Sequence, residues 1–331
     1  MINIKEEEIR KKEKFDKYLQ LVEKDIKKNF SNKNKFVKIS CPACKSKNCR
    51  DEFVKKGFTY KVCNDCQTLF VDPRPSQEAL NDFYSNSIST EYWVNDFFRS
   101  VEKSRTEKIF KPRVKKLVDY LGKDKEGWTI GDIGAGFGIF LSELKKIWEN
   151  NRYIAIEPSP EQCKICQGKN LEIICKPLEE ITDKDKSFNL LTSFELFEHL
   201  YNPSYFLECV NKLLKPGGYF LLTTLNGLGF DIQILKEKSK SVFPPHHLNF
   251  FNPNSIAMLL EKNGFEVIDI STPGKLDWDI VENMIKKEKI KIEGFWHLLA
   301  DKKDPLMKEE LQQWISKNNL SSHMQIFSKK K

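Results

Sequence analysis

The chain has 331 residues, 40% hydrophobic and 31% charged, with a formal net charge of +8. That length buries a full core plus a smaller appendage, and no uninterrupted apolar run approaches the roughly 20 residues that span a bilayer, which excludes a membrane-spanning helix. The chain is charged from Lys5 onward with no signal-peptide core, so the cytoplasm is the expected compartment and its nine cysteines are expected to be reduced, metal-bound or packed inside.

Residues 1 to 38 predict a charged helical arm. Its lysines alternate with Glu6, Glu7, Glu8, Glu13, Asp16 and Glu23, a solvated helical face rather than a phosphate-binding stripe. Residues 39 to 75 predict a zinc ribbon. Cys41-Pro42-Ala43-Cys44 and Cys63-Asn64-Asp65-Cys66 stand eighteen residues apart, the spacing of a structural Zn2+ site. Four thiolates leave no open position for a water, which excludes a catalytic role. So small a module would owe most of its folding free energy, on the order of 10 kcal/mol or more, to the metal. A pair of redox dithiols is the rival reading. Lys55, Lys56, Phe58, Tyr60 and Lys61 lie between the knuckles and keep nucleic acid as an alternative partner. Residues 76 to 126 read as a helical cap, rich in aromatics from Phe83 and Tyr84 to Phe97 and Phe98.

From residue 127 to 331 the pattern changes to that of a nucleotide-cofactor domain. Trp128-Thr129-Ile130 is a short buried strand, and Phe140 to Trp148 has helical apolar spacing. Between them lies Asp132-Ile133-Gly134-Ala135-Gly136-Phe137-Gly138, where glycines let the backbone approach a ligand. The strand Tyr153-Ile154-Ala155-Ile156 ends on Glu157, about 20 residues after the loop, where an acid meets ribose hydroxyls in a doubly wound α/β fold. Cys163 and Cys166 would stand one turn apart on the helix begun by Ser159-Pro160-Glu161; with no second pair at ligand spacing they read as ordinary helix residues. Cys175 and Cys209 read as core or helix-packing residues.

A dehydrogenase fingerprint would run G-x-G-x-x-G, whereas this loop runs D-x-G-x-G-x-G. It resembles motif I of the class I S-adenosylmethionine-dependent methyltransferases. The resemblance continues through Phe188 to Leu200, similar to the family's fourth strand and its Glu-His-Leu segment, and through Leu213 to Thr224, similar to its Leu-Lys-Pro-Gly-Gly turn and fifth strand. It implies that Asp132 works through a loop in which Gly134, Gly136 and Gly138 hold the methionine part of S-adenosyl-L-methionine. It also implies that Glu157 binds both ribose hydroxyls, that Phe194 and Glu195 lie beside the cofactor, and that Glu179 lies near the adenine. Asn189 and Ala135 depart from the Asp and Cys of many relatives. The implied fold is a Rossmann-like, doubly wound sheet of seven strands whose last strand, here Ser322 to Phe327, runs antiparallel between the fifth and sixth. Residues 273 to 320 would then be a helical insertion, with Asp277 and Trp278 as substrate-side candidates.

The acceptor chemistry rests on Pro244-Pro245-His246-His247-Leu248, placed after the fifth strand on the ligand side of such a sheet. His247 or His246 is the expected general base, and a packing role is the rival. No Asn-Pro-Pro-Tyr or Asp-Pro-Pro-Tyr follows the fourth strand, so transfer to oxygen is preferred, then to carbon. The ribbon exit and the His-His segment also resemble those of sugar and small-molecule methyltransferases of polysaccharide-type pathways. The expected acceptor is therefore a small hydroxylated molecule such as a nucleotide-linked sugar. An RNA methyltransferase and a non-catalytic scaffold are the alternatives.

Overall fold

The computed structural model describes residues 8, 10–182, 187–292, 294–302 and 304–331; Lys5, Glu6 and Glu7 of the expected arm lie outside them. Helix α1 (Lys12–Asn29) buries Phe15, Tyr18, Val22, Asp25 and Ile26 on one face, the spacing of an amphipathic helix. The expected solvated face is thus only one side of it. Buried Asp25 accepts the Ser89 N–H at 2.8 Å, tying the arm to the cap.

The ribbon forms β1 (Cys49–Lys55), β2 (Phe58–Cys63) and β3 (Leu69–Val71), an antiparallel run in which Cys49 faces Cys63. The cap follows. Helix α2 (Gln77–Asn86) starts at Ser76, whose side chain accepts the Ala79 N–H, a standard N-cap arrangement. The chain is then helical without a break from 88 to 121. Helices α3 (Ile88–Tyr92), α4 (Arg99–Arg105) and α5 (Lys111–Leu121) are joined by π-helical turns at Trp93–Phe98 and Thr106–Phe110.

The second sheet holds seven strands: β4 (Thr129–Ile133), β5 (Arg152–Ile156), β6 (Glu172–Ile174), β7 (Phe188–Phe194), β8 (Leu214–Leu225), β10 (Phe265–Ser271) and β11 (His323–Lys330), in the order β10-β11-β8-β7-β4-β5-β6. Strands β6, β5, β4, β7 and β8 are parallel, and β11 runs antiparallel between β8 and β10. This is the expected Rossmann-like doubly wound arrangement with its antiparallel last strand. The first strand ends on Ile133, so Asp132 belongs to the strand and the loop starts at Gly134. Helices α6 (Ile139–Lys145), α7 (Pro160–Gly168), α8 (Pro203–Leu213), α9 (Phe230–Leu235) and α10 (Pro253–Lys262) connect the strands. The two-residue strand β9 (Asn249–Phe250), just beyond the two histidines, pairs with β3 through Leu69 and Phe250. The ribbon sheet is therefore completed by a piece of the cofactor domain.

Helices α11 (Asp277–Lys286), α12 (Phe295–Asp301) and α13 (Pro305–Lys317) make up the insertion before β11. Asp277 accepts from Ser321 Oγ, the Ser322 N–H and Gln312 Nε2, and Trp278 is buried in an apolar cluster that the insertion shares with Phe230 and Leu235 of α9. Both substrate-side candidates are occupied in anchoring these helices. The cysteine expectation also needs correction: Cys163 and Cys175 form a disulfide, and the other seven are free. Sequence separation gave no hint of this pair, because α7 and the residue just after β6 are brought together by the parallel β5–β6 pairing and the packing of α7 on β6. No helix among the described residues is long and apolar enough to cross a membrane.

Candidate functional site

The order of the parallel strands reverses between β4 and β7, the point at which ligands bind in open α/β sheets, beyond the strands' carboxyl ends. The glycine loop leaves β4 there. Gly134 has φ +70°, and a Cβ on it would lie 3.1 Å from Leu196. Gly138 has φ +64°, and a Cβ would meet Leu171 at 2.7 Å and Cys166 Sγ at 3.0 Å. Side chains are excluded at both by backbone conformation and by space.

Glu157, one residue past β5, closes the other side of the loop. Its carboxylate accepts the Gly136 N–H at 2.9 Å and the Ser159 N–H at 3.0 Å. Burial raises its pKa, and these two amides oppose the shift. Asp132 is buried behind the loop and accepts from Thr192 Oγ1 at 2.7 Å. Burial pushes it up to about 7, against the pull of that hydroxyl and of Arg113.

Beyond β7, Glu195 adopts φ +53° and accepts from Arg113 at 2.6 Å, from Thr223 Oγ1 at 2.7 Å and from His323 Nδ1 at 3.1 Å. Burial would raise its pKa, but His323, Arg113 and Thr223 outweigh it and hold the carboxyl well below the usual range. The Arg113 guanidinium also lies 5.0 Å from the centre of the Phe194 ring. Phe194 ends β7 and Glu195 follows it, beside the switch point. Glu179 is exposed in the turn Leu178–Glu180 after β6.

The two histidines separate. His246 shares a hydrogen bond with Tyr18 through Nε2 at 3.2 Å and packs against Phe83, Tyr84 and Phe243. Burial lowers it to about 3. His247 fixes Nδ1 on the Ser241 carbonyl at 2.6 Å and lies edge-on to His199 at 4.8 Å. Burial lowers it to about 4, and the carbonyl works the other way. The Ser241 contact makes Nδ1 the donor, leaving the Nε2 lone pair to accept a proton or meet a cation. His247, His199 and Glu198 each offer a ligand atom within 4.8 Å of the others, a grouping that can hold a metal ion.

Sequence reasoning missed Arg113, Thr223 and the role of His323. Arg113 lies among other basic residues in Lys111-Pro112-Arg113-Val114-Lys115-Lys116, and nothing in that run separates it from a solvated lysine. Thr223 meets Glu195 through the parallel pairing of β7 with β8, and His323 faces it only because β11 is laid beside β8.

The cysteine cluster meets the geometric requirements of zinc. Cys41 and Cys66 sulfurs are 3.5 Å apart, as are those of Cys44 and Cys63, and all four lie within 4.8 Å of one another. A tetrahedral ion with Zn–S bonds of about 2.3 Å places sulfurs about 3.8 Å apart. Cys49 stands aside, 3.9 Å from the Ser46 carbonyl.

Residues 105–270, half of the chain, match the family described as "Methyltransferase domain". The chain belongs to this family. The matched region contains the glycine loop, Glu157, Glu195 and the His-His segment, while the ribbon lies outside it. Among curated relatives, the chain is 26% identical over 194 residues to the mitochondrial ubiquinone biosynthesis O-methyltransferase of Rattus norvegicus, covering 53% of this chain and 51% of the relative. It is 30% identical over 162 residues to that of Homo sapiens, covering 44% and 43%. The chain spans about half the length of the curated relatives it matches. These names stand where sugar methyltransferases were expected. Among solved structures, a chain from the complex between the Haloferax volcanii Trm112 methyltransferase activator and a methyltransferase matches with a TM-score of 0.50 at 16% identity, covering 72% of this chain and 96% of that one. This likeness is one of fold.

Proposed function

We propose that the protein transfers a methyl group from S-adenosyl-L-methionine to a hydroxyl oxygen of a small molecule, with a nucleotide-linked sugar or another saccharide as the acceptor class and the cytoplasm as the compartment. The observation that carries the reading is the closure of the glycine loop by Glu157, beside Asp132 and Glu195, at the switch point of the sheet. The residues fit the cofactor: the loop offers close backbone approach at Gly134, Gly136 and Gly138, Glu157 offers a carboxylate for ribose hydroxyls, and Phe194 and Glu195 border the same space, with Glu179 on the adenine side. When bound, the cofactor supplies an electrophilic methyl on a sulfonium.

The protein's part is positioning and proton transfer. An acceptor hydroxyl held in line needs little more than correct distance and angle, worth several kcal/mol of the barrier, and a group to take its proton. We assign that role to His247, since His246 is bonded to Tyr18 inside the aromatic cluster. Burial lowers His247 to about 4, which keeps it unprotonated at neutral pH but makes it a weaker base than one poised near pH 7, so its contribution belongs at the low end of the roughly 100- to 10,000-fold range. The curated relatives are named as O-methyltransferases, in keeping with transfer to oxygen. Zn2+ on Cys41, Cys44, Cys63 and Cys66 is structural in this proposal, holding the sheet that ends in β9.

The test is transfer of labelled methyl from S-adenosylmethionine to three acceptor classes: nucleotide-linked sugars, phenolic hydroxyls of quinone precursors, and RNA. Label on the sugar, lost in His247→Ala, is the expected result. Label confined to a phenol or to RNA would replace the acceptor, and transfer unaffected in His247→Ala would remove the base.

A further inference from the structure

The turn Ser239-Lys240-Ser241, between α9 and the two histidines, is gripped from three sides. Asp231 in α9 is fully buried, and its carboxylate accepts from Ser239 Oγ at 2.9 Å and from Ser241 Oγ at 3.2 Å. Ser239 Oγ in turn accepts the Ser241 N–H at 3.1 Å. From the ribbon, Lys55 at the end of β1 donates to the Ser239 carbonyl at 2.6 Å. From the insertion, Glu288, two residues beyond α11, pairs with Lys240 at 2.6 Å.

This turn carries the carbonyl on which His247 fixes Nδ1, that of Ser241. A carbonyl has no proton to give, so the imidazole donates from Nδ1 and keeps Nε2 bare. The tautomer of His247 is therefore set by the direction of one backbone carbonyl, and that direction by the hydroxyls on Asp231. Gly229 brings the carboxylate there. A Cβ on Gly229 would lie 2.4 Å from Ser322 Cα, so only glycine lets the chain leaving β8 run against the start of β11, where Asp231 also accepts from Ser322 Oγ. Burial pushes the Asp231 pKa up to about 6, against the pull of Ser239. At neutral pH it is mostly ionised and acts as an acceptor on which three hydroxyls converge.

We propose that Asp231 is a positioning residue for His247: through Ser239 and Ser241 it holds the carbonyl that fixes the His247 tautomer, while Lys55 of the ribbon grips the same turn from the other side. Its kinetic consequence rests on the methyl-transfer reading, in which His247 takes the acceptor's proton at Nε2. Asp231 touches neither acceptor nor cofactor in this account. Lys55 gives the ribbon a second route to the site, besides the pairing of β3 with β9.

The chain has five histidines, few enough for nitrogen-15 NMR of histidine-labelled, zinc-loaded protein at neutral pH, with His247→Ala identifying the signal. Wild type is expected to show His247 in the Nδ1–H form alone, and Asp231→Ala to show exchange with the Nε2–H form. Asp231→Asn, which keeps the shape and one acceptor oxygen, and Lys55→Met are expected to lie between them. Leu144→Ala, which loosens the packing of α6 away from this turn, is expected to lower Tm and leave the tautomer as in wild type. In turnover, Asp231→Ala is expected to lower kcat about tenfold, with S-adenosylhomocysteine affinity unchanged within twofold.

Three results would overturn the proposal: an unchanged tautomer in Asp231→Ala, a shift in Leu144→Ala as large as in Asp231→Ala, or S-adenosylhomocysteine affinity falling in step with kcat. The second would make the effect one of general loosening. The third would place the action of Asp231 on Ser322 and on the adjoining contact of His323 with Glu195. If Asp231→Ala does not fold, a wild-type tautomer in both Asp231→Asn and Lys55→Met overturns it instead. If wild type methylates no acceptor, the methyl-transfer reading fails by itself, and the tautomer comparison still decides the role of Asp231.

Discussion

Arg113 on α5 donates to Glu195 at the end of β7 across 2.6 Å, and this contact fastens the helical cap to the sheet at its switch point. Both side chains are largely shielded, at 18% and 26% exposure, so the pair is screened less than a surface one. Glu195 adds Thr223 and His323 as further donors, making the pair part of a network rather than an isolated bridge.

Arg113→Ala is expected to destabilise the protein by about 1–3 kcal/mol, the range for a hydrogen bond to a charged group. Glu195→Gln should cost a similar amount, and the double substitution less than the sum, because each single change already breaks the shared contact. Denaturant titration of the four proteins measures the coupling. Strict additivity would mean that the contact contributes nothing to stability.

Asp132 gives a pH signature. Its folded-state pKa is raised from 3.8 to about 7, chiefly by burial, so between those values the folded protein holds a proton that the unfolded chain has released. Its contribution is therefore most favourable below the unfolded value and is lost as pH rises towards the folded one. Wild type is expected to lose stability relative to Asp132→Asn from about pH 4 to about pH 7, and the two curves should run parallel above that range. Parallel curves throughout would contradict the assignment.

How much of this was legible in sequence differs by element. The loop from Gly134 to Gly138 and the acid at Glu157 follow from glycine placement and spacing, which are local properties, whereas the seven-stranded sheet with its antiparallel last strand was implied by the resemblance to the methyltransferase family. The four-cysteine cluster is legible for the same reason, since metal ligands impose fixed intervals. Arg113 and His323 are not, because their roles depend on which helix crosses the sheet and where β11 inserts. The bond between Cys163 and Cys175 was missed because thiol spacing identifies knuckles but not pairs brought together by parallel strands. The arm's lysine-rich face concealed Phe15, Tyr18 and Val22, whose burial depends on an aromatic cluster supplied by the cap and by His246.

The ribbon and the His-His segment are mechanically linked through the pairing of β3 with β9. Chelation of the metal is expected to remove hydrogen-exchange protection from Leu69–Val71 and from Asn249–Phe250 together, with β4 and β5 retaining theirs. Cys44→Ser should behave as chelated protein. Unchanged protection after verified metal loss would show that the metal does not hold this sheet.

The disulfide is checked by counting thiols. Denatured, metal-stripped protein prepared without reductant should take up seven alkyl groups, the number of free cysteines, and two more after reduction. A reducing compartment would favour the dithiol form. Nine labels before reduction in protein purified under oxidising conditions would contradict the pair.

The most direct test of the central claim is calorimetric titration of zinc-loaded protein with S-adenosylmethionine and S-adenosylhomocysteine, with Glu157→Ala as the control. One saturable site for each ligand is expected, with affinity at least tenfold weaker in the variant, a change of about 1.4 kcal/mol. Absence of binding by folded, metal-replete wild type would contradict the methyltransferase account.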